Sequence, residues 1–107
     1  TAFSVTDTTT TIINTTGYYL ITGTSTVTSK SGGTFNKIQL SDGATTKTIW
    51  GHDAPSSQNF ATTALNIELI VFLAAGDSCL IESLSSDAIC LGSTRQIASI
   101  DGTLVNP

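Results

Sequence analysis

The chain has 107 residues, of which 4 are basic and 8 acidic, for a formal net charge of −4. Lys30, Lys37, Lys47 and Arg95 are too few and too scattered to form the basic stripe of a nucleic-acid binder. The longest unbroken apolar run, Leu69 to Ala75, is seven residues, against the roughly 20 that a membrane-spanning helix needs.

Length sets a single domain over residues 1–107. Twenty threonines and 13 serines favour strands over helices, and 39% hydrophobic residues argue against disorder. Thr1 in place of an initiator methionine, with no basic and apolar leader pattern, reads as a domain excised from a longer fibre or a processed chain.

In chain order, Ala2 to Thr16 reads as one threonine-rich edge strand or extended arm. Gly17 opens a strand through Tyr18, Tyr19, Leu20 and Ile21 that continues with the alternation of Thr24 to Thr28. After a Ser31-Gly32-Gly33 turn, Phe35 to Leu40 places Phe35, Lys37 and Gln39 opposite Asn36, Ile38 and Leu40. Ser41-Asp42-Gly43 is a tight turn, and Thr45 to Trp50 is the return strand. Gly51 to Asn59, with the internal proline and no periodicity, reads as a loop. Ala64 to Leu73 is the most apolar strand, ended by Ala74-Ala75-Gly76-Asp77. Ser78 to Leu84, Ala88 to Leu91 and Gln96 to Val105 complete about eight strands, the number of a sandwich or barrel.

Two strands are apolar on both faces. Ile67, Leu69, Val71 and Leu73 oppose Glu68, Ile70 and Phe72, and Tyr18 and Leu20 oppose Tyr19 and Ile21. A small antiparallel domain has no helices to cover a second apolar face, so another copy of the chain is expected to cover it.

Three elements in order carry a family likeness. They are Gly17-Tyr18-Tyr19-Leu20-Ile21, the run Leu69 to Ile81 through the Gly76-Asp77 turn, and Ser99 to Val105 with Gly102 before Leu104 and Val105. This order resembles the trimeric jelly-roll superfamily of tumour necrosis factor and complement globular heads, and is most similar to bacteriophage tail-fibre or tail-needle head domains. The resemblance implies an all-β antiparallel jelly-roll sandwich, homotrimeric, with an inner sheet on the threefold axis. Tyr18, Tyr19, Ile70 and Phe72 are the expected trimer interface.

Cys79 and Cys90 are eleven residues apart. They form a disulfide if their strands pair as a simple hairpin, or stay reduced as small core hydrophobes if the strands lie in opposite sheets. His52 is the one histidine, which argues against zinc and leaves no metal or cofactor expected. A catalytic triad would have to use His52 with Asp53, yet neighbours in an extended segment point apart, so the chain is not read as an enzyme. Trp50, His52, Asp53, Gln58 and Asn59 are the candidate ligand site, offering a ring to stack on a sugar and polar groups for its hydroxyls. The alternative is that Trp50 packs into the core and His52-Asp53 is a polar turn. Asn14-Thr15-Thr16 is a formal glycosylation sequon.

The expected function is a non-enzymatic trimeric head of a phage or virus appendage, on the virion or extracellular, binding a host-surface glycan or protein. The alternatives are a structural tip or capsid-decoration protein and a secreted cytokine-like ligand.

Overall fold

A computed structural model of the chain describes residues 1–57 and 60–105. It has eight strands: β1 (Ala2–Thr6), β2 (Thr9–Ile13), β3 (Gly17–Thr28), β4 (Thr34–Ser41), β5 (Thr46–Ala54), β6 (Thr62–Leu73), β7 (Ser78–Leu84) and β8 (Ala88–Ala98). The described residues contain no helix. The first sheet has the order β1-β8-β3-β6 and the second β2-β7-β4-β5, with every pairing antiparallel. The innermost pair is β4 with β5, and each preceding strand takes its mirror image in the second half as partner. That nested winding is a jelly roll, the topology that the family resemblance implied, where the strand pattern by itself gave a sandwich or barrel.

Alternation along the strands fills the space between the sheets. Val5, Tyr19, Ile21, Ile67, Val71, Leu73 and Cys90 from the first sheet meet Ile13, Ile38, Cys79 and Ile81 from the second. Each fully buried large aliphatic among them contributes about 1.5–3 kcal/mol. On the inner face of the first sheet Gly23 and Gly92 stand opposite each other across β3 and β8. A Cβ on Gly92 would lie 2.1 Å from the Thr22 carbonyl oxygen and 2.7 Å from Cζ of Phe3. The backbones approach closely there, and the Phe3 ring occupies the place of the missing side chains.

Three strand expectations are corrected. The first arm is two strands, β1 and β2, which separate at Asp7, a residue with φ of 52°, and enter different sheets. Asp7 Oδ1 accepts a hydrogen bond from the Ser85 N–H at 2.9 Å and fixes the crossing. The expected loop from Gly51 is strand as far as Ala54, because Thr34 to Lys37 supply its partners. The last two predicted strands are one, β8, and among the described residues only an isolated Ala98–Leu104 bridge follows it.

Candidate functional site

The centre of the sandwich carries a chain of polar side chains that joins the two sheets. Asn36 on β4 donates through Nδ2 to the Ile89 carbonyl at 3.0 Å and to Ser25 Oγ at 2.8 Å. A carbonyl can only accept, so the Asn36 amide has one orientation. The Ser25 hydroxyl is also hydrogen-bonded to His52 Nδ1, 2.8 Å away. Its other ring nitrogen, Nε2, is hydrogen-bonded to Thr63 Oγ1 at 3.0 Å, so both ring nitrogens have hydroxyl partners. Ser25 and Thr63 come from the first sheet, Asn36 and His52 from the second. The chain separates the main core from a smaller cluster of Val27, Ala54 and Ala88. Asn36 Oδ1 is buried without a hydrogen-bond partner among the described residues. Burial pushes the His52 pKa below its ordinary value of 6.5, and the charge of Asp53 opposes that shift.

The strand character of β5 decides the fate of the predicted ligand residues. Trp50 and His52 share the inner face, with ring centroids 6.3 Å apart and planes at 67°, and Trp50 packs against the core. Asp53 lies on the opposite, exposed face. The structure therefore does not bring Trp50, His52 and Asp53 to one surface, and Gln58 and Asn59 lie outside the described residues. Cys79 and Cys90 are free, buried thiols on the inner faces of opposite sheets, which corrects the disulfide reading. Facing sheets stand about 10 Å apart, beyond the roughly 7 Å that a disulfide can bridge between Cα atoms. Burial raises the thiol pKa values to about 12 for Cys79 and about 11 for Cys90.

Of the predicted interface residues, Tyr19 is a core residue, and its hydroxyl bonds the Thr15 hydroxyl. Tyr18, Ile70 and Phe72 do face outward from the first sheet. Tyr18 pairs with Phe72 and Leu20 with Ile70 across β3 and β6, and the Tyr18 and Phe72 rings are 4.8 Å apart. Ile70 is 61% and Phe72 43% exposed, a large apolar surface that none of the described residues covers. Sequence reasoning missed a second feature, a shallow hollow of about 260 Å³ lined by Leu40, Ile49, Lys47, Asp42 and Asp77. The register between β4 and β5 passes over Ile49, which is the extra residue of a β-bulge and is 41% exposed. The bulge is set by backbone register, for which the residue pattern carries no signal.

No family model and no curated protein matches the chain. Two crystal structures of a pentameric capsid protein isolated from metagenomic phage sequences, one of them solved by iodide SAD phasing, are similar to it. Each matches at 33% identity with a TM-score of 0.86 over 99% of this chain. This chain spans 66% of the length of those chains. The expected homotrimer is corrected by this finding, because the similar proteins are pentameric. The likeness to phage proteins and the antiparallel sandwich stand; the tumour necrosis factor and complement likeness gains no support from these matches.

Proposed function

We propose that the chain is a non-enzymatic structural protein of a phage particle, assembling on the virion as a ring of five copies. The observation that carries this reading is the match to pentameric phage capsid proteins, which extends over 99% of the chain at 33% identity. The uncovered apolar face of β3 and β6 supports it, since a two-layer sandwich leaves that face for a neighbouring copy. The histidine is tied up between Ser25 and Thr63 inside the sandwich, which favours a structural over a catalytic role. A host-attachment role that uses Trp50 as a sugar-stacking ring has less in its favour, because that ring packs inward.

Light scattering on the purified chain tests the reading. The expected mass is five times the 11.1 kDa of one chain. A monomeric or threefold mass across micromolar concentrations would overturn it.

A further inference from the structure

A ring of five is closed by heterologous contacts, in which one patch of each copy meets a different patch of the next. The chain presents two surfaces suited to that task. One is the outward apolar end of the first sheet, where Ile70 and Phe72 stand beside Leu20 and Tyr18. The other is the hollow around Leu40 and Ile49. At about 260 Å³ it is smaller than the ~300–1,000 Å³ of a small-molecule pocket, a size better suited to a few protruding side chains.

Position and charge match the two surfaces. Phe72 lies just before the Ala74–Asp77 turn, and Asp77 itself lines the hollow, so both features sit at the same end of the strands. Rotation about an axis parallel to the strands keeps each residue at its height, and a patch and a hollow at one height can meet. Arg95 is the outward neighbour of Leu20 across β3 and β8, and Glu68 is the outward neighbour of Thr22 across β3 and β6. The hollow offers Asp42 and Asp77 to the first and Lys47 to the second. Among the described residues the ion pair within the chain is Lys30 with Asp87, which leaves Arg95 and Lys47 available to a neighbour.

We propose that each copy seats Ile70 and Phe72 in the Leu40–Ile49 hollow of the next copy, with Arg95 facing the Asp42 and Asp77 carboxylates. This rests on the ring reading above and names its interface.

The test uses the whole chain with cysteines at Ile70→Cys and Ile49→Cys, singly and together, under mild oxidation. The double variant is expected to give a covalent ladder reaching five copies on a non-reducing gel, and neither single variant a linked dimer. In parallel, Ile70→Glu is expected to raise the concentration needed for assembly at least tenfold, and Leu91→Ser, on the same sheet but away from the patch, to leave it unchanged. Circular dichroism establishes that each variant is folded, and the cysteine experiment stands even where Ile70→Glu is not. A fivefold mass for the parent chain with no ladder from the double variant would overturn this interface and leave the ring intact. Linked dimers from Ile70→Cys alone would also overturn it, because they require the same patch on both partners. A monomeric parent chain would overturn the interface and the ring together.

Discussion

His52 sits where two sheets must agree, and its protonation state sets the direction of every hydrogen bond around it. In the neutral form one ring nitrogen donates and the other accepts, and the Ser25 and Thr63 hydroxyls meet the two of them. A second proton would charge a ring enclosed by the core. The folded pKa lies below the 6.5 of an unfolded histidine because burial disfavours the cation. The unfolded chain therefore takes up the proton first as pH falls. Stability is complete above about pH 6.5 and declines from there down to the folded pKa, by at most about 1.4 kcal/mol per pH unit. Thermal melts at pH 7.5 and pH 5.5 should show the loss, and His52→Gln, with no proton to gain, should remove the part of the slope that lies in this window. Equal slopes in the two proteins would rule His52 out as its source.

At the scale of the strands, the two cysteines report which sheet each strand joined. Cys79 on β7 and Cys90 on β8 lie buried on the inner faces of opposite sheets, with pKa values raised to about 12 and about 11. Both thiols are expected to resist a thiol reagent in the native protein at pH 8 and to react fully in denaturant, and mass spectrometry after air oxidation should find no bond between them. Rapid native labelling would show that the sandwich opens readily at that point. The pairing of these strands was hidden because Ser85-Ser86-Asp87 reads as the turn of a hairpin, although it crosses from one sheet to the other. The strands β4 and β7, with polar residues between their apolar ones, and β6, with its long apolar run, were legible almost to the residue. Those interrupted by small or polar residues were not: Gly51, His52 and Asp53 look like a loop until β4 supplies their partners, and Gly92 to Arg95 conceal the middle of β8. The candidate ligand site failed for the same reason. Once that segment is strand, alternation turns Trp50 and His52 inward and Asp53 outward.

For the whole molecule, the two-faced character of β6 showed in the sequence that a further surface had to be covered. The number of copies did not show, because one apolar face is compatible with any closed symmetry. The ring reading carries a thermodynamic consequence. When unfolding is coupled to dissociation, mass action makes the midpoint depend on protein concentration. A hundredfold increase in chain concentration is expected to raise the melting temperature by several degrees for the parent chain and by much less for Ile70→Glu. A midpoint independent of concentration would argue against a ring that holds the fold together.

The nested pairing also imposes an order in time. β4 and β5 are joined by a four-residue turn and can pair as soon as both exist, whereas Ala2 must find Ser93 across almost the full length of the chain. Closing longer loops costs more entropy, so pairing is favoured outward from β4 and β5, and the strands made first are the last to find partners. During synthesis the segment Thr6 to Thr11 therefore waits, unpaired, for β7 and β8. Its threonines have strand propensity with little exposed oil, and suit a segment that must remain soluble until its partners arrive. The composition of that segment thus suits the growing chain as well as the finished sandwich.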